Sequence, residues 1–462
     1  MNIRNTFTID GEADTLFHPG EKKWPFYGLL IYTMMFYSQF AGRYPFLAPL
    51  RLEFFLGITL IIYAFAQIFS GKVRFKENLM NFAALLFISI AFITIPFAYV
   101  KISALNAFYD LLKFFAIYLM IITTINNEKK LKVFVYVYEA MIVLIFFEPF
   151  IQSLQGKGFI WNNGMWRLRG VTNYFGHPNQ LGGMTAANLP FLFYLFKYQH
   201  SKFWKIIYLI LIIASLRVIM LTQSRTAFVG VMAFAFFVWI FSKKKVISIV
   251  AISIVLLITW YFAPPETRDR FLTLGMADRV VSGRADHDEA GSMYSRWVLI
   301  QRGFEAFKEN PIIGLGLNCY MSFNGHRYGY FFPPHNTYIQ ALSEMGIVGT
   351  FAFLLVLFMT LSNLIKSKKR LNYLFDKYAF LETMISVVMV YLLVRMVVSM
   401  FGQELYDNYW WIGAGLSVVI FRIVNQKVDQ SDLIEINSIE EKKLPIKTNL
   451  NSVSPPYENF IS

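Results

Sequence analysis

Cysteine is almost absent. Cys319 is the only one in 462 residues, which excludes an internal disulfide and a zinc site built on thiolates. Charge is scarce as well, at 16% against 56% apolar residues. The apolar residues come in blocks of about 16 to 24, long enough to cross a hydrocarbon core of roughly 30 Å. Acidic side chains are outnumbered 29 to 43, leaving a net charge of +14. Basic loops between the apolar blocks account for that excess, so it calls for no nucleic-acid partner. The first 24 residues carry Asp10, Glu12, Asp14 and Glu21 instead of the run of a cleavable leader. The first apolar block is therefore expected to act as its own insertion signal. No repeat relates the two halves of the chain, which counts against the repeat architecture of many transporters.

What is present is an all-α polytopic membrane protein. Twelve spans are expected, near 25–40, 49–70, 79–100, 104–125, 131–152, 182–197, 205–222, 226–242, 246–263, 346–366, 377–400 and 409–424. Lysine and arginine concentrate in the loops after even-numbered spans, as in Lys72, Arg74 and Lys76, Lys129, Lys130 and Lys132, Lys243 to Lys245, and Lys366 to Arg370. Loops on the other side carry only scattered charges such as Arg43, Lys101, Arg167, Arg169 and Arg225. The bias puts both termini in the cytoplasm. The expected division is a cytoplasmic tail 1–24, spans 25–263, an outer loop 264–345, spans 346–424 and a disordered cytoplasmic tail 425–462. A second, shorter outer segment covers about 153–181. In the large loop, Trp297, Ile300, Phe304 and Phe307 recur at helical spacing before Pro311, which predicts an amphipathic helix on the outer face.

Chemistry concentrates on the outer side. His177, His287, His326 and His335 lie there. His335 follows Pro333 and Pro334 and precedes a helix that Asn336 or Thr337 can cap. A helix N-terminus disfavours imidazolium, and a neutral imidazole suits a general base. The alternative is a plain capping or headgroup-binding role. Arg225, in a tight outer turn, and Arg296, opening the surface helix, need an anionic partner near the interface; lipid phosphates are the other candidate. Arg217, Arg395, Glu148 and Glu382 raise the same question, with packed ion pairs as the alternative. Asp286 and Asp288 have the spacing of a cation-binding pair, although acidic loop residues are commonly just solvated. The Gly314-Leu315-Gly316 stretch reads as a turn, since no strand precedes it.

Four stretches in order carry a family likeness: "GVTNYFGHPNQLGGMTAANLPF" (170–191), "SRTAFVG" (224–230), "SRWVLIQRGFEAFKENPIIGLGLNCY" (295–320) and "PHNTYIQALSEMGIVG" (334–349). With about twelve spans and a large loop between spans 9 and 10, a GT-C-like arrangement, the chain resembles the O-antigen ligase and O-antigen polymerase superfamily. The resemblance covers about 170–360. It implies an inner-membrane glycosyltransferase acting on the periplasmic face. Such an enzyme moves a glycan from an undecaprenyl-diphosphate carrier to an acceptor hydroxyl on lipid A core, another glycan or a protein. No nucleotide sugar and no metal are implied. The essential histidine of the family falls on His335, and its two diphosphate-binding arginines fall on Arg225 and Arg296. Arg217, Arg284, Asn336, His177, Asn179 and Glu344 are further candidates for the same site. Tyr328, Tyr330, Phe331 and Phe332 are candidates for stacking on sugars, or belong to an interfacial belt. Within the likeness, ligase, polymerase and protein O-oligosaccharyltransferase differ in acceptor. A flippase for the same lipid-linked glycan is the reading from a different class.

Overall fold

The computed structural model describes residues 16–162, 165–172, 175–261, 268, 287–372 and 378–443. It is 80% helical. The principal helices are α1 (Trp24–Ser38), α2 (Leu52–Phe69), α3 (Leu79–Thr94), α4 (Lys101–Thr124), α5 (Glu128–Leu154), α6 (Pro178–Tyr198) and α7 (Lys202–Thr222). They continue with α8 (Arg225–Phe241), α9 (Lys245–Tyr261), α10 (His287–Glu309), α11 (Tyr320–Tyr328), α12 (Thr337–Leu371), α13 (Ala379–Val398) and α14 (Asn408–Lys443). Each of the twelve apolar blocks falls on a helix. By length and hydropathy alone, seven helices among the described residues can cross a membrane, and α8 and α9 are apolar but shorter. The chain is an all-α polytopic membrane protein.

Polar residues at the block edges start the helices. Asn78, Asn127, Ser224 and Asn336 each accept a backbone N–H of the first turn of α3, α5, α8 and α12. Inside, α12 packs on α3 and α14, while α13 packs on α6 and α8. The loops fall into two sets. Tyr99 N donates to Leu315 O, and Ser103 Oγ to Asn318 O, so two of the expected outer segments meet. At the opposite end Lys130 Nζ pairs with Glu21, and Asn78 and Asn363 exchange amide hydrogen bonds.

Helix α12 is two helices joined at Gly346, whose φ of 62° and ψ of −166° interrupt the spiral. The break coincides with the expected start of a span at 346. The backbone groups it frees are satisfied by one short segment. Leu315 N and Gly316 N donate to Ser343 O and Glu344 O, while Ile347 N and Val348 N donate to Pro311 O and Ile312 O. Gly314 and Gly316 both have positive φ, as a turn requires.

Two expectations are corrected and a third is extended. The outer segment 153–181 holds a two-stranded antiparallel hairpin, β1 (Phe159–Asn162) and β2 (Met165–Leu168), with Asn162 opposite Met165. Its sequence signal is the Asn163-Gly164 dipeptide between short alternating runs. The surface helix α10 leaves Trp297 and Phe304 59% and 45% exposed, as an apolar face turned to a bilayer would be, and packs on the protein through a second face that the spacing did not mark. Its packed face is Leu299, Gly303 and Ala306, because α12 comes so close that a Cβ on Gly303 would sit 2.2 Å from Ile339. The tail expected to be disordered from 425 begins as helix and continues to Lys443. Residues 425–443 contain neither glycine nor proline and carry apolar residues at helical spacing.

Candidate active site

Arg296 extends the packed face of α10 by one turn, on the spacing 296, 299, 303, 306. Gly303 lies against Ile339, in the first turn of α12, and Arg296 is thereby brought to the N-terminus of α12. His335 stands just before that terminus. Asn336 is the cap, its side chain accepting Tyr338 N at 3.0 Å and Ile339 N at 3.1 Å. The cap therefore does not employ the imidazole. His335 has φ 51°, a left-handed conformation that an L-residue adopts at some cost and that recurs at functional sites. Arg225 is the first residue of α8, two residues past Gln223, whose φ of 49° turns the chain at the end of α7.

The electrostatics place these groups together. Burial, then the Arg296 charge, then His177 push the half-buried His335 imidazole down to about 4. Burial and then Arg225 push the Arg296 guanidinium down. Burial and then Arg167 push His177 down. The chain of influence runs Arg225, Arg296, His335, His177, Arg167, and among the described residues no carboxylate is a cause for the three shifted groups. Mutually repelling bases of this kind are suited to a multiply charged anion.

Arg167 was not singled out as a site residue by its sequence context. It is 1% exposed and donates to Thr222 O at 2.9 Å, Asn162 Oδ1 at 2.8 Å and Asn179 Oδ1 at 2.5 Å. It thereby ties the hairpin to the start of α6 and to the turn that carries Arg225. Asn179 acts by accepting Arg167, and its backbone N–H donates to His177 Nδ1 at 3.1 Å. The remaining candidates divide. Arg217 lies on the exposed face of α7. Glu344 is buried on α12 and bound to Tyr406, Gln340 and the Tyr320 backbone. Arg284 and Asp286 lie outside the described residues. Among those described, no group of His, Cys, Asp or Glu is placed to hold a metal ion. Tyr330, Phe331 and Phe332 are exposed on the loop before His335, and Arg302 lies 4.1 Å over the Tyr328 ring.

The other charges that the sequence raised have structural settings. Arg43 grips Glu148 through both nitrogens, and Glu382 sits exposed in the first turn of α13, where a carboxylate is favourable. Arg395, 2% exposed, lies 3.5 Å over the Tyr409 ring and 3.2 Å from Glu404. Glu404 N donates to Thr337 Oγ1 at 2.8 Å, so this pair supports the residue two positions after His335. Arg395→Met, which strands the carboxylate, is expected to destabilise the protein by about 3 kcal/mol. Adding Glu404→Gln should restore much of the loss, read as unfolding temperature in detergent.

An all-α polytopic membrane protein with a cationic, histidine-bearing cluster at one end of its bundle is the class that fold and site define. Residues 209–354 match the family described as O-antigen ligase, which places this region of the chain in the O-antigen ligase and polymerase superfamily. The matched stretch contains Arg225, Arg296 and His335, whereas Arg167 and His177 precede it. No curated protein matches the chain. The match over this region points to a membrane glycosyltransferase or ligase.

Proposed function

We propose that the protein transfers a glycan from an undecaprenyl-diphosphate carrier to an acceptor hydroxyl, as a ligase or polymerase of surface polysaccharide. The reading places it in the bacterial inner membrane, with both termini cytoplasmic and the cluster on the periplasmic face. The observation that carries it is the convergence of Arg225, Arg296 and His335 from three separate segments.

The donor's anomeric carbon is already activated by its diphosphate. Arg225 and Arg296 hold the diphosphate oxygens and offset the charge that builds on them as the C–O bond breaks. The acceptor oxygen attacks the same carbon from the opposite face, giving inversion. His335 takes the acceptor proton, and undecaprenyl diphosphate leaves. The carrier, the acceptor and membrane lipids are the partners. Neither a nucleotide sugar nor a metal enters this step, so transfer is expected to persist in EDTA.

Arg225→Ala and Arg296→Ala are each expected to weaken binding of undecaprenyl diphosphate by roughly 10- to 100-fold. Lysine replacements should recover only part, since an ammonium lacks the planar fork. Unchanged binding in both alanine variants, measured in nanodiscs, would refute the assignment. Separate assays with lipid A core, a second carrier-linked glycan and a serine-bearing protein distinguish ligase, polymerase and protein O-oligosaccharyltransferase. Movement of donor across proteoliposomes without transfer would support a flippase.

A further inference from the structure

Beside the cationic cluster lies a cavity of about 290 Å³ with the opposite electrical character. Pro333 and Pro334, which lead into His335, form part of its wall. Its charged lining residues are Asp110, Glu344 and Asp407, and among the described residues no lysine, arginine or histidine lines it. Lys113 pairs with Asp110 from outside the lining, at 2.8 Å.

The floor is a built structure. Glu344, 2% exposed, accepts from the Tyr406 hydroxyl at 2.6 Å, from the Gln340 amide nitrogen at 3.2 Å and from Tyr320 N at 3.2 Å. Gln340 is 5% exposed. With its nitrogen turned to that carboxylate, its other end, Oε1, is buried and has no partner among the described residues. A buried amide oxygen without a donor is costly, and Gln340 is one of the residues that line the cavity.

The lining selects the ligand. With Asp110 offset by Lys113, an anion is disfavoured by Glu344 and Asp407, and an apolar group would leave Gln340 Oε1 unsatisfied. Hydroxyl groups suit the set, because they donate to carboxylates and amide oxygens and accept from the amides of Asn106, Asn318 and Gln403. The volume lies near the lower end of the roughly 300–1,000 Å³ typical of small-molecule sites. The geometry points to this cavity as the binding site for a neutral or amine-bearing sugar residue of the glycan, seated beside His335. That the sugar belongs to a transfer substrate rests on the function proposed above. The sugar-binding chemistry of the cavity does not, and either the donor or the acceptor glycan can supply the residue.

The test uses the full-length protein in nanodiscs, with N-acetylglucosamine, glucosamine and glucuronate as probes and ligand-observed NMR as the readout. The first two should bind, and glucuronate should bind at least tenfold more weakly. Gln340→Leu should weaken sugar binding about three- to tenfold. Asn106→Trp, at an exposed rim position, should abolish it by filling the cavity. Unfolding temperatures of the unliganded variants establish that they fold. Binding of undecaprenyl diphosphate should be unchanged in both variants. Sugar that stays bound in the presence of a glycan-bearing carrier marks an acceptor subsite. Sugar displaced by that carrier, but not by bare undecaprenyl diphosphate, marks the donor's own glycan. The assignment is overturned if neither variant alters sugar binding, if glucuronate binds as well as the neutral sugar, or if no sugar binds at tens of millimolar. If sugars bind as expected and undecaprenyl diphosphate does not, the transfer reading fails and the cavity assignment stands.

Discussion

His335→Ala is expected to lower glycan transfer by about 10²–10⁴-fold, the range for loss of a general base, while undecaprenyl diphosphate still binds through the arginines. The pH profile is the sharper measurement. Burial and the neighbouring bases hold the imidazole at about 4, so it remains neutral and able to accept a proton well below neutrality. Protonation removes the base, so the rate falls on the acid side. For kcat/KM, which reports the free enzyme, the fall should come near 4 instead of at the ~6.5 of an unperturbed histidine. A bound diphosphate adds negative charge beside the ring and favours imidazolium. The acid limb of kcat should therefore lie above that of kcat/KM. A kcat/KM limb near ~6.5 would mean that the cluster does not act on His335 as described.

Gly346→Ala is expected to be among the most damaging single-methyl additions in the chain. Its φ of 62° is strained for alanine, and the new Cβ would stand 2.3 Å from Ile312 O, a backbone atom that is itself hydrogen-bonded across the break. With ψ at −166° the backbone lies in a region almost confined to glycine, and the conformational part costs about 1–3 kcal/mol. The clash forces the 311–316 segment off the helix ends, and the total is on the order of 3–5 kcal/mol. Gly156→Ala is the control, because Gly156 has φ 69° and nothing within 4 Å of the added methyl. It should cost only the conformational part. Apparent unfolding temperatures of the two variants in detergent separate the terms, and equal losses would mean that the Ile312 contact is unimportant.

The apolar helices were legible because hydrocarbon-length apolar blocks bounded by asparagine, serine and basic residues have few other uses. Arg225 and His335 stood out for a related reason, since each stands at a helix start where its charge or ring is conspicuous; Arg296, expected to open the surface helix, lies inside α10, which already runs from His287. Arg167 did not, because in sequence it is one of two arginines in an outer loop; only the fold brings it to Thr222 O and Asn179. The face of α10 that packs on the protein was not legible, because large side chains mark the apolar side of most helices. Here the approach of α12 requires small ones, Gly303 and Ala306, and leaves Trp297 outside. Glu344 and Gln340 read as one polar edge of a helix, and their cavity needs walls from α4, α11 and the 403–407 loop, which no local pattern reveals.

The break at Gly346 has a mechanical meaning. A helix uninterrupted from 337 to 371 would transmit any tilt of its membrane-crossing part to the ring at its tip. As built, the arm 337–345 is fastened to the 311–316 segment and, through Thr337, to the 402–404 loop. The start of the span, at Ile347 and Val348, is bonded to the same segment. One short stretch, 311–316, thus sets the directions of the arm and the span separately, and the position of the ring is fixed by that stretch as much as by the helix that follows it.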